Sequence, residues 1–143
     1  MPCINIPIEA IGPALDVGIT SPASLVAPGG QAPIANWFKA IVDTGCSHTS
    51  IHSSVATKCG LAVIGKSGVT TTAGNVAVNL YHGDLFLRSL IQWTSPFDWS
   101  FSDRGLLEMV HQNPAFDILL GMDILNLGQF VSNGGLRQAT FCW

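Results

Sequence analysis

The sequence predicts a β-rich single domain carrying one or two short helices. Three observations carry this. The chain has 143 residues, the length of one ordinary domain. Fifteen glycines and eight prolines divide it into many short segments, the punctuation of strands joined by turns. Between those breaks, apolar residues mostly alternate or run continuously, and few windows carry a helical period.

Taken in order, residues 1–13 contain Pro2, Pro7 and Pro13 and read as an extended N-terminal segment. Leu15, Val17 and Ile19 alternate with Asp16 and Gly18, the period of a half-buried strand. Residues 21–33 are turn-rich and read as a loop. The β-forming run Trp37 to Val42 predicts a strand buried on both faces, ending at Asp43. Ser53 to Gly60 predicts a short helix, with Ser53 or Ser54 as N-cap and Gly60 just past its end. Residues 69–80 read as a β-hairpin, with Val69–Thr72 and Val76–Leu80 flanking Ala73-Gly74-Asn75. Leu85 and Leu87 continue the strand pattern. Residues 92–104 are irregular and aromatic; Ser102 or Asp103 is placed to cap a helix over Gly105–Gln112, closed by Asn113-Pro114. Phe116 to Leu120 is an apolar strand ending at Gly121, and Met122 to Leu127 a helical turn stopped by Gly128. Phe130–Ser132 and Ala139–Cys142 read as two last strands around Asn133-Gly134-Gly135.

Composition excludes several classes. Hydrophobic residues make up 48% of the chain, which is incompatible with a disordered tail. Charged residues make up only 10%, against about 25% in ordinary domains, a deficit that hints at a buried oligomer interface. The net charge is −3 and the six cations are scattered, which argues against nucleic-acid binding by phosphate neutralisation. No apolar run approaches the roughly 20 residues of a membrane span. The first cation is Lys39, so there is no charged leader region, and a cytoplasmic location is expected. Cys3, Cys46, Cys59 and Cys142 show no zinc spacing. Four free thiols in a reducing compartment is the simplest reading, with a disulfide as the alternative.

The stretch that carries chemistry runs from Ala40 to Ile51, Ala-Ile-Val-Asp-Thr-Gly-Cys-Ser-His-Thr-Ser-Ile. It sets a carboxylate, Asp43, at the exit of an apolar strand, where burial disfavours the anion unless hydrogen bonds stabilise it. The Gly45 backbone N–H and the Thr44 hydroxyl are placed to supply them. A bare Asp-Thr-Gly turn is a weak signal, but its surroundings are specific. They comprise Leu15-Asp16-Val17-Gly18 upstream, Asp43 to Ile51, Leu119-Leu120-Gly121-Met122-Asp123-Ile124-Leu125, and Phe130-Val131-Ser132-Asn133-Gly134 with Thr140-Phe141 at the end.

In that order and spacing the chain resembles the retropepsin-like aspartic proteases, in particular single-domain bacterial members, over residues 14–143. The resemblance implies a closed acid-protease barrel over 1–143 and endopeptidase activity, with no metal or organic cofactor. Asp43, Thr44 and Gly45 would be catalytic. The 69–80 hairpin would be a flap, with Ala73, Gly74 and Asn75 closing on substrate. Leu120 and Gly121 would belong to the strand threading beside the active-site loop and would contact substrate. The aspartic mechanism needs two carboxylates sharing one proton, which titrate as a unit and give a bell-shaped rate profile in pH. No second Asp-Thr-Gly or Asp-Ser-Gly exists, so the second Asp43 must come from another copy across a two-fold axis. The implied partners are therefore a second copy and a peptide or protein substrate. Residues 3–9 and 139–143 would be candidates for an intersubunit sheet.

Two departures stand out. Viral members pair an Arg after the late Gly with an acid two places past the motif; here those positions hold Met122 and Ser47. A His48–Asp123 contact is the expected substitute. The hairpin turn also carries a single glycine, which would stiffen it. Cys46 beside His48 is a poor nucleophile pair, and His48 with His52 a poor metal pair. Trp93, Phe97, Trp99 and Phe101 would pack over the barrel end or line substrate pockets. The alternative function is a dimerisation or peptide-binding module of the same fold without turnover.

Overall fold

The computed structural model describes residues 3–88 and 98–143. Ten strands and two helices follow one another as β1 (Cys3–Glu9), β2 (Gly12–Thr20), β3 (Asn36–Val42), β4 (Ser50–Ile51), α1 (Ser53–Cys59), β5 (Ala62–Thr71), β6 (Gly74–Arg88), β7 (Asp98–Glu108), β8 (Ile118–Leu120), α2 (Met122–Leu125), β9 (Gln129–Asn133) and β10 (Gln138–Cys142). A single turn of 3-10 helix over Ala23–Leu25 interrupts the 21–33 loop.

The strands run in the order β5-β6-β7-β4-β8-β3-β2-β1-β10-β9, and β6 also pairs with β2. That extra pairing closes β2, β3, β8, β4, β7 and β6 into a six-stranded barrel, which leaves none of those strands as a free edge. The hairpin β5–β6 projects from it on one side, and a terminal sheet β1-β10-β9 on the other. The core holds alternate residues of the barrel strands: Val17 and Ile19 from β2, Leu85 and Leu87 from β6, Leu106 from β7, and Ile118 and Leu120 from β8. Ile4, Ile6 and Phe141 extend it under the terminal sheet, and Val55 and Ile124 seal it from the helices. This is the period-two pattern of a sheet with one dry face.

Several sequence readings need correction. β3 is fully buried only at Ala40–Val42, while Asn36 to Lys39 are half exposed. The segment 98–108 is one strand, not an irregular stretch followed by a helix. It pairs with β6 from Leu80↔Leu107 to Arg88↔Asp98, with a register shift between Gly83 and Leu85. Asp103 sits opposite that shift with φ 53°, its N–H donating to the buried carboxylate of Asp84 at 2.7 Å. A polar residue at a strand irregularity thus resembles a helix cap in sequence. Of the aromatic group, Trp93 and Phe97 lie outside the described residues; Phe101, inside them, is buried and 5.9 Å from the Trp143 ring.

The thiol reading is also corrected. Cys3 and Cys142 form a disulfide, and Cys46 and Cys59 are free. The pairing of β1 with β10 sets Cys3 directly opposite Cys142, a contact between positions 139 residues apart that local spacing does not reveal. Disulfides persist in oxidising compartments, so the cysteines do not argue for a reducing one. That same pairing occupies the terminal strands within one chain. β10 is bonded on both edges, by β1 and β9, so 139–142 is not a free strand awaiting a partner's edge. Among the described residues, no helix is long and apolar enough to cross a membrane.

Candidate active site

β3 runs parallel to β8, and β4 runs antiparallel to the other edge of β8. The chain therefore leaves β3 at Val42, loops through 43–49, and returns as β4 with β8 threaded between the two arms. The apolar sequence of β8 explains its place. Ile118 and Leu120 are fully buried, and a strand flanked on both sides needs no polar face.

Asp43 stands at the exit of β3, half-buried, with its own N–H donating to the Leu120 carbonyl at 3.0 Å. Its Oδ1 accepts the Gly45 N–H at 2.9 Å, and its carbonyl accepts the Cys46 N–H at 3.2 Å. The carboxylate is thus held by the turn that follows it. A Cβ at Gly45 would stand 3.2 Å from Asp43 Oδ1, tight enough to disturb that contact. Thr44 and Gly45 are exposed.

The loop is fastened from behind by α2. Met122 N–H donates to the Cys46 carbonyl at 2.8 Å and Asp123 N–H to the Ser47 carbonyl at 3.2 Å. Asp123 Oδ1 accepts both the backbone N–H and the hydroxyl of Thr49, each at 2.8 Å. Thr49 is fully buried, and its Oγ1 accepts the Gly121 N–H at 3.1 Å. The strand-to-helix corner at Gly121 runs so close to the loop that a Cβ there would lie 2.6 Å from the His48 carbonyl carbon. Glycine is required by this close approach of two backbones.

The expected His48–Asp123 contact is absent, because Asp123 is occupied by Thr49. His48 Nδ1 instead lies 3.0 Å from Ser47 Oγ. Thr49 is the supporting residue that the sequence does not single out, and Asp123 serves Thr49 in place of the expected His48. The signal was present in the Thr one turn after the motif and the Asp two places after the late Gly. Cys46 donates its thiol to the His48 carbonyl at 2.9 Å, and the His48 ring nitrogen Nδ1 is taken up with Ser47. His52 caps α1, accepting the Ser54 N–H at 3.1 Å, so it serves the helix. Burial pushes the Cys59 thiol above its ordinary range, which favours its neutral form.

A cleft of about 500 Å³ opens beside the loop, within the size of small-ligand and peptide sites. Its walls are Gly45 to His48 of the loop, Ser67 to Thr71 of β5, Leu107 to His111 along and beyond β7, and Leu119 of β8. The structure places the predicted substrate residues unequally. Leu120 points into the core with no exposure, so Leu119 is the β8 side chain that faces the cleft. Gly121 lies behind the loop. Ala73, Gly74 and Asn75 form the exposed tip of the hairpin, directly past the tip-ward half of β5 that lines the cleft. The turn itself is Thr72-Ala73, since Thr71 pairs with Gly74, and Gly74 takes φ +116°. Thr71 Oγ1 braces it, accepting the Ala73 N–H at 3.1 Å and donating to the Gly74 carbonyl at 2.9 Å.

A closed barrel with a carboxylate loop threaded by an apolar strand defines a retropepsin-like fold. The chain belongs to the aspartyl protease family, whose model matches residues 29–124. Among solved structures, it is similar to a retropepsin-like aspartic protease from Rickettsia conorii, at 16% identity and a TM-score of 0.58, with 98% of this chain and 90% of that chain covered. No curated protein matches it. Family and fold together support a protease-like hydrolase.

Proposed function

We propose that the chain is an aspartic endopeptidase that works as a homodimer, with water activated between the Asp43 carboxylates of two copies. The observation that supports this most directly is Asp43 itself. It is the half-buried carboxylate at the exit of β3, oriented by the Gly45 N–H, on a loop that opens onto a peptide-sized cleft. Each chain supplies one such group, and Thr44 and Gly45 lie exposed beside it. An isologous two-fold contact brings a second to meet it.

In the dimer, one carboxylate takes a proton from the water while its oxygen attacks the peptide carbonyl carbon. The other, protonated, carboxyl gives its proton to the carbonyl oxygen. The tetrahedral species then collapses, the C–N bond breaks, and the amine leaves with a proton from the dyad. Thr44 would bond across the axis and fix the spacing of the two acids. Gly45 leaves room for the substrate backbone, and Ala73, Gly74 and Asn75 would close over it as a flap. Leu119 offers an apolar contact, while Leu120 and Gly121 hold the loop from behind.

The test is digestion of a diverse peptide mixture across acidic to neutral pH, comparing wild type with Asp43→Asn by mass spectrometry. The expected outcome is cleavage by wild type alone, with both proteins folded. Specific cleavage by Asp43→Asn would overturn the mechanism. Peptide binding without cleavage by folded, dimeric wild type would indicate a binding module instead.

A further inference from the structure

The cleft carries a charge pattern that the aspartic mechanism does not require. Apart from the imidazoles of His48 and His111 and the thiol of Cys46, Glu108 is the one ionisable side chain among the described residues that line it, and none of the six lysines and arginines is among them. Glu108 ends β7, where its neighbour Met109 is fastened by a 2.9 Å hydrogen bond to the Ile51 carbonyl. The Tyr81 hydroxyl donates to Glu108 Oε2 at 3.3 Å, and Tyr81 is itself buried. The carboxylate is therefore positioned from behind, and its other oxygen takes no hydrogen bond from that tyrosine. The rest of the wall combines aliphatic side chains (Val69, Leu107, Met109, Val110 and Leu119) with uncharged serines and threonines of the loop, β4 and β5.

We propose that Glu108 makes this cleft selective for a lysine or arginine side chain near the scissile bond. Such a side chain is an apolar stem ending in a cation, and it buries the stem on aliphatic surface while its head stays polar. A wall that offers aliphatic surface beside one carboxylate is complementary to that shape. An acidic side chain is repelled there, and a neutral isostere leaves the carboxylate without a partner as water is excluded. Tyr81 acts as a positioning residue. The inference rests on the protease reading, and the experiment separates the two.

Two matched peptides, identical except for lysine or norleucine at the varied position, are scanned through the positions on either side of the cut. Wild type is expected to show a kcat/KM ratio favouring lysine by about tenfold or more at one position, the scale of a charge-assisted hydrogen bond. Glu108→Gln should bring that ratio toward one, and Glu108→Lys should invert it in favour of a glutamate peptide. A wild-type ratio near one at every position overturns the inference and leaves the protease reading intact, as does a preference that survives in Glu108→Gln. If no peptide is cut, the protease reading fails. Binding of the same pair to the folded protein by calorimetry then decides the inference, equal or absent binding overturning it and tighter lysine binding that Glu108→Gln removes upholding it.

Discussion

Thr49 and Asp123 show how single side chains fix the loop that carries Asp43. The Thr49 hydroxyl donates to Asp123 and accepts from Gly121 N–H, in a place with no access to water. Thr49→Val keeps the shape and removes both bonds. It should cost about 1–3 kcal/mol, since a buried N–H is left without an acceptor, measured as a lower denaturant midpoint with an unchanged slope. Gly121→Ala should be worse, because its Cβ meets backbone of the loop at under 3 Å and neither segment can yield without moving the Asp43 turn. Activity should fall further than stability, and comparing kcat with the unfolding midpoint checks this. At this scale the sequence showed the acid and its glycine but not its supports. Asp-Thr-Gly is a local signal, whereas Thr49 and Asp123 meet across 74 positions, and Met122 with Ser47 only marked where a different brace was absent.

Elements were legible where the signal was local. α1 lies where the sequence placed it, and Gly60 ends it with φ 62° in the left-handed region. Gly60→Ala should therefore destabilise by about 1 kcal/mol, read from thermal unfolding. Its N-cap is His52, not a serine, because an imidazole nitrogen accepts the Ser54 N–H as a hydroxyl would. The hairpin was found, but its arms run far beyond 69–80, to Ala62 and Arg88. β5 is mostly exposed, so it lacks the apolar alternation that marks a strand packed on a core. β7 was misread for the opposite reason. Its polar Ser102-Asp103 lies at an irregularity in a long strand, and composition alone does not separate that from a helix start.

At the scale of the molecule, the barrel closes because β6 is long enough to pair with β5, β7 and β2. No local pattern announces such a closure; it came into view through resemblance, and the family match and the solved relative bear that out. The terminal sheet adds the one covalent link. Removing it with Cys3→Ser and Cys142→Ser should lower stability by about 2–5 kcal/mol, the range for closing a long loop, and the same loss should follow reduction of wild type. Calorimetry with and without reductant checks it, and an unchanged midpoint would show that β1–β10 pairing suffices alone.

The Cys3–Cys142 bond also makes the backbone between them a covalent ring. A single cut within that ring, whether by another protease or by a second copy of this one, opens the circle without releasing a fragment. A nicked molecule would then migrate as one species on a non-reducing gel and as two after thiol treatment. Wear in the 21–33 loop or in the hairpin would go unseen in an ordinary mass measurement, apart from the added water, until the clasp is reduced.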